Sequence, residues 1–205
     1  MSKELAKCTD PELWQAFKAG DREVLSFIYL QHHKHLVNYG IRLFAQEEVV
    51  EDMIHDVFME CWQRRNTLPA VLSIRFYLLK ALRNKLYTCL KKQRKDADID
   101  LYTDDYHFNV EYSFADKLLT EQGDAELTYK LTNALNQLTA RQKEAIYLRF
   151  YNSLDYQNIS LVMGINYQSV RTHIYQGIKL LREKLTIELA VMVLILSLFL
   201  SGIPS

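Results

Sequence analysis

The stretch LDYQNISLVMGINYQSVRTHIYQG, from Leu154 to Gly177, concentrates side chains that can read nucleic-acid bases. Gln168, Arg171, Thr172, Tyr175 and Gln176 are among the outward positions of its second helix. Arg pairs with guanine, Gln with adenine, and Ser or Thr with several base edges. Tyr167, Ser169 and His173 complete the polar surface of the same segment. Upstream, Gly164 suits a left-handed turn between two short helices. Helix, glycine turn and a second helix with a polar face make helix-turn-helix geometry, whose second helix fits a major groove. Arg149, Lys179 and Arg182 are placed to reach phosphates, and the helix N-terminus adds a partial positive charge. Thr139–Leu185 holds seven basic and three acidic residues, a modest bias toward a polyanion. Helix pairs with glycine turns also occur in ordinary bundles, so the polar face carries this reading.

A second cluster lies in the N-terminal half. SIRFYLLKALRNKLYTCLKKQRK interleaves Phe76, Tyr77 and Tyr87 with Lys80, Arg83 and Lys85, and Trp62, Arg64 and Arg65 precede it. Arg75–Lys95 contains eight basic residues and no acidic one. Rings stack on unpaired bases while cations follow the backbone, so the pattern suits single-stranded nucleic acid. The competing reading makes Phe76 and Tyr77 core and the lysines a solvated face. His32, His33 and His35 form the one dense group of metal-ligand types, but no carboxylate or cysteine completes a ligand set, and a solvated helix face is the expectation. There is no phosphate-binding loop, dinucleotide fingerprint or nucleophile elbow. The sequence therefore predicts a protein that is not an enzyme, with no catalytic residue, metal or cofactor.

The elements that must position these residues are helical. In 205 residues there are only six Gly and three Pro, against nearly half apolar residues, a composition that favours helices with real cores. Three separated cysteines, Cys8, Cys61 and Cys89, form no CxxC pair, and MSKELAKCTDPELW has no apolar signal-like run; a reducing cytoplasm is expected. Net charge is zero but uneven. Asp96–Glu126 has ten acids and one lysine, a local balance of −9, leaving +9 elsewhere. The expected architecture is all-α: two small helical domains joined by an acidic linker, the C-terminal one a helix-turn-helix. The boundaries read as 1–95, linker 96–123, second domain 124–187 and apolar tail 188–205. Asp10 is the expected cap of the first helix, with Gly20 at its end and Ser73 capping the long basic helix. Thr139 and Gln142 have capping-box spacing, and Asn166 caps the reading helix. A short helix is expected near Phe114–Leu119. From Leu189 to Ile203 the tail is uncharged for about fifteen residues, short of the roughly 17–25 that a membrane span needs. Packing on a domain or partner is the favoured reading; membrane contact and an exposed recognition tail for a partner or protease are the lesser ones.

VEDMIHDVFMECWQRR, SIRFYLLKALRNKLYTCLKKQRK and LTARQKEAIYLRFYNSLDYQNISLVMGINYQSVRTHIYQGIKLLREKL, in this order, resemble bacterial sigma factors of the extracytoplasmic-function group. That group has two domains, regions 2 and 4, joined by a linker. The resemblance implies that Asp52, Ile54, His55, Asp56 and Phe58 dock on core RNA polymerase. It implies that Trp62, Arg64 and Arg65, with the loop NTLPAVLS, melt the −10 element and capture an extruded base. Arg75, Phe76, Tyr77, Lys80, Arg83, Asn84 and Lys85 would hold the −10 strand. Arg149, Tyr167, Gln168, Ser169, Arg171, Thr172, His173, Tyr175 and Gln176 would contact the −35 duplex. The linker would run through the polymerase toward its active-site and RNA-exit channels, and an anti-sigma factor is the implied regulator. The sequence departs from the pattern at His55, where Gln is usual, and at Asn158-Ile159-Ser160, where Glu-Ile-Ala is usual. The rival reading is a stand-alone helix-turn-helix regulator. The basic aromatic helix and the acidic linker weigh against it, since a sensor domain needs neither.

Overall fold

The computed structural model describes residues 2–93, 107–109 and 132–184. All regular structure among them is helical, as the sequence predicts. The chain separates into two compact units, Met1–Ile99 and Asp100–Ser205. The helix expected near Phe114–Leu119, the rest of the acidic linker and the apolar tail lie outside the described residues.

In the first unit, α1 (Ser2–Leu5) leads into α2 (Asp10–Lys18). The cap of α2 is Thr9, not Asp10. The Glu12 carboxylate reaches back to the Thr9 amide at 2.7 Å and accepts from its hydroxyl at 2.8 Å. This capping box leaves Asp10 inside the helix, free to bond elsewhere. Gly20, at φ 90°, turns the chain into α3 (Arg22–Leu43), whose first amides donate to Asp21. A side chain at Gly20 would be strained. Then follow α4 (Glu47–Gln63), a 3-10 turn at Arg65–Thr67 and α5 (Ile74–Gln93). Ser73 caps α5 as expected, its hydroxyl accepting from the Phe76 amide at 3.2 Å.

Helices α2 to α5 share one core: Trp14 and Phe17, Ile28 and Leu36, Val50 and Ile54, Ile74, Leu78, Leu82 and Leu86. Burying each such side chain contributes on the order of 1.5–3 kcal/mol. Gly40 lets α3 and α4 approach closely, because a β-carbon there would run into Val50. His32 corrects the expectation of a solvated histidine face: it is 3% exposed. His33 instead pairs with Glu51 at 2.7 Å. No group of three or more potential metal ligands forms among the described residues.

In the second unit, a helical turn over 132–136 precedes α6 (Ala140–Phe150), α7 (Tyr156–Met163) and α8 (Tyr167–Lys184). The expected capping box starts α6: the Gln142 amide donates to Thr139 Oγ1 at 3.3 Å, and Gln142 Oε1 accepts from the Thr139 amide at 3.0 Å. Asp155 caps α7 through the Asn158 amide at 2.7 Å. Gly164 ends α7 in the left-handed region, φ 66°, and Asn166 caps α8 through the Ser169 amide at 2.7 Å. Val170, Ile174 and Leu181 of α8 are buried with Leu148, Ile159 and Val162. Phe108 is also buried, against Tyr147 at 5.6 Å between ring centroids. One aromatic of the acidic segment is thus part of this unit's core.

Candidate nucleic-acid interface

Helix α8 divides its residues by face. Val170, Ile174, Gly177 and Leu181 turn inward, while Gln168, Arg171, Thr172, Tyr175 and Gln176 are exposed. Tyr175 is 70% exposed and Tyr167 44%, unusual for rings that have a core within reach. The order of exposed and buried positions follows the helix period, so packing the apolar stripe on α6 and α7 leaves the polar stripe outside. Gly177 permits close packing on α6, since a β-carbon there would come 2.6 Å from Ile146 Cδ1. Thr172 donates to the Gln168 carbonyl of its own helix at 3.0 Å, and Gln176 lies 3.5 Å from Gln142. Ser169 and His173 are half-buried at the edges of the stripe.

Arg149 is not part of this exposed face. Its guanidinium donates to the Leu154 carbonyl at 3.0 Å and lies 5.2 Å from the centre of the Tyr156 ring. It ties down the loop between α6 and α7 and is half-buried.

In the first unit, the exposed positions of α4 are Glu47, Glu48, Asp52, His55, Asp56, Met59, Glu60 and Gln63, and from Asp52 onward they form a single stripe at helical spacing. Ile54 and Phe58, expected to touch a partner, are 0% and 5% exposed. Their place on the helix face opposite the acids corrects that expectation: they fix the stripe's direction from within the core. Asp56 and Glu60 both accept from Lys85 of α5, Asp56 at 3.3 Å. Burial pushes the Lys85 ammonium down, but the bonds to Glu60 and Asp56 outweigh it and raise its pKa. Two residues assigned by sequence to different partners, Asp56 and Lys85, are therefore ion-paired to each other.

Trp62 is half-buried. Its ring meets the edge of Phe17 at 5.7 Å and carries the Arg65 guanidinium at 4.8 Å. Arg65 also donates to the Trp62 carbonyl at 2.9 Å. Arg64 and Asn84 are exposed, and Arg75 is half-buried. The Lys80 ammonium stands 6.0 Å from the Phe76 ring centre. Tyr77 packs on Trp14 at 5.0 Å and hydrogen-bonds Cys61; burial pushes the Tyr77 hydroxyl up to about 12 and the Cys61 thiol up to about 11. Arg83 is 3% exposed, its guanidinium 4.4 Å from the Tyr87 ring centre. Burial corrects Arg83 from a strand contact to a support beneath the surface of α5. Of the residues expected to hold a strand, Arg64 and Asn84 are exposed, and Trp62, Arg65, Arg75, Phe76, Tyr77, Lys80 and Lys85 are half-buried.

The family model for sigma-70, region 4 matches residues 129–181, the span that holds α6, α7 and most of α8. Two relatives come from Bacillus subtilis (strain 168). The chain is 40% identical to RNA polymerase sigma factor SigV over 58 residues, 28% of this chain and 35% of that protein. It is 22% identical to ECF RNA polymerase sigma factor SigX over 164 residues, 78% of this chain and 83% of that protein. The chain thus spans about a third of the first relative and most of the second. Among solved structures, the sigma factor RpoE in complex with the anti-sigma factor NepR from Bartonella quintana matches with a TM-score of 0.51 at 18% identity, covering 78% of this chain and 95% of that one. CnrH in complex with the cytosolic domain of CnrY matches with a TM-score of 0.54 at 17% identity, covering 84% and 94%. At these identities the solved structures establish the shared fold.

Proposed function

We propose, for a chain related to the extracytoplasmic-function sigma factors and carrying a sigma-70 region 4 module, that it binds core RNA polymerase and directs promoter-specific initiation. The observation that carries this is the exposed stripe of α8, because side chains able to read bases stand on a helix within the span that region 4 matches. Gln168, Arg171, Thr172, Tyr175 and Gln176 read the −35 duplex in the major groove, with Tyr167, Ser169 and His173 at its margin. Lys179 and Arg182, both exposed, supply phosphate contacts.

The α4 stripe of Asp52, His55 and Asp56 is the polymerase-docking face, with Met59 as an apolar contact among the charges. Trp62, Arg64, Arg65 and the loop to Ser73 open the −10 element, and α5 holds the separated strand. An anti-sigma factor is the regulatory partner, as in the complex of RpoE with NepR. The working compartment is the cytoplasm, where promoter and polymerase are. No described helix is long and apolar enough to cross a membrane. Nothing in this reading calls for catalysis by the chain itself.

The test is reconstitution with bacterial core RNA polymerase on a genomic fragment library, followed by sequencing of transcript starts. Starts preceded by common −10 and −35 elements are the expected result. Duplex binding without any association with core polymerase would instead establish the stand-alone regulator.

A further inference from the structure

Helix α2 has no assigned role so far, yet one of its faces is bonded to the loop that follows α4. Three residues at i, i+4 and i+8 take part. Lys18 Nζ donates to the Leu68 carbonyl at 2.7 Å. Trp14 Nε1 donates to the Pro69 carbonyl at 2.8 Å. Asp10 Oδ2 accepts from the Ile74 amide at 2.7 Å. The three groups cover about 12 Å of helix, and the loop runs past them in the opposite direction, from Leu68 to Ile74. Both ends of the loop are thereby fixed to one rigid element.

Trp14 is 1% exposed and stacks on Phe17 at 5.1 Å, so its indole donor is itself immobile. Between the fixed ends, Pro69, Ala70 and Leu72 are exposed, Leu72 at 91%. The amides of Ala70, Val71 and Leu72 donate to no described residue. With the Leu68 and Pro69 carbonyls held on α2, the loop keeps three unpaired amide donors beside the exposed side chains of Ala70 and Leu72. That is the chemistry needed to hold one unstacked base: acceptors on its edge for the amides and a flat face for the apolar groups.

We infer that Asp10, Trp14 and Lys18 are positioning residues that preform this loop for base capture during promoter opening. The inference rests on the proposed function and assigns α2 a part in it. Without the three bonds, the loop would have to lose its conformational freedom when the base arrives, and that loss would subtract from strand affinity. With them, the ordering is complete before DNA binds. The three residues touch no base; they act through the loop backbone.

The test uses polymerase reconstituted with the full chain and fluorescent single strands carrying its own −10 element, intact or abasic at one position in turn. Lys18→Met keeps the aliphatic stem and removes the donor. It weakens binding of the intact strand by roughly three- to tenfold, the range for one such hydrogen bond. On the strand abasic at the captured position, parent and variant bind alike, because there is no base to receive. Asp10→Asn retains an acceptor for the Ile74 amide and binds as the parent does, whereas Asp10→Ala follows Lys18→Met. Thermal melting followed by tryptophan fluorescence checks that each variant is folded. Parity of Lys18→Met on the intact strand overturns the inference. So does an equal loss on every abasic strand, which would mark a lost phosphate contact, and so does Asp10→Asn failing as badly as Asp10→Ala. If the parent polymerase binds no strand at all, the proposed function fails, and this inference with it.

Discussion

Acid should destabilise the first unit through one side chain. His32 is 3% exposed, and neither ring nitrogen has a hydrogen-bond partner among the described residues. Burial, then the Arg75 guanidinium, push its pKa down to about 4; Asp10 pulls it up, and His35 adds a smaller downward push. The unfolded chain keeps the ordinary value of 6.5. Between these values the unfolded state binds a proton that the folded state refuses. Stability is therefore full above the upper value and is lost as pH falls through the window. At about 1.4 kcal/mol for each pH unit, the whole window is worth about 3 kcal/mol. About 2 kcal/mol of it falls between about pH 7 and pH 5. Glu12, held low by the Thr9 amide and hydroxyl, protonates below this range and does not confuse it. The assay is urea unfolding followed by tryptophan fluorescence, because the two tryptophans, Trp14 and Trp62, both belong to the first unit. The midpoint should fall by about 1 M over that pH interval. His32→Met, which cannot titrate, should flatten the dependence. An unchanged parent midpoint, or an His32→Met variant with the parent's slope, would refute the argument.

Arg171→Ala should cost about 1–3 kcal/mol on the preferred −35 sequence and relax the choice at one base pair; binding to a set of single-base −35 variants measures it, and equal transcription from all of them would remove Arg171 as a reader. Trp62→Ala should leave closed-complex affinity near that of the parent while slowing opening, as read by permanganate reactivity of −10 thymines. Normal reactivity in that variant would release Trp62 from melting. Gly40→Ala drives a methyl into Val50, a branched side chain on an opposing helix; a loss of about 1–3 kcal/mol is expected in the tryptophan-monitored urea titration, and a neutral result would mean that α3 and α4 separate freely.

Much of the architecture was legible because local chemistry and packing agree. Thr139 with Gln142, Gly164 and Asn166 each do what their residue types suggest, so the second unit could be read one turn at a time. The α8 stripe was legible for the same reason: its period separates Val170 and Ile174 from Arg171 and Tyr175. What escaped the sequence depends on contacts between distant segments. Asp10 looked like a helix cap, yet its carboxylate serves an amide 64 residues away. Arg83 looked like part of a basic face, and only the placement of the Tyr87 ring shows it covered. Ile54 and Phe58 lie within the expected docking segment, but α4 turns them inward and the acids outward. His32 is the sharpest case. Three histidines within four residues suggest solvent or metal, and only the packing around α3 reveals that His32 is buried.

The division of α8 into two faces also bears on how such a protein can diversify. Gln168, Arg171 and Tyr175 stand in solvent, and exchanging residues of this kind usually changes stability by less than about 0.5 kcal/mol. Val170, Ile174 and Leu181, which hold the helix in place, are never the same positions. On the proposed function, copies of this gene acquire new promoter preferences without first accumulating spare stability. The same separation makes α8 a suitable scaffold for building sets of mutually insulated transcription switches, in which the recognised sequence is rewritten while the fold is left alone.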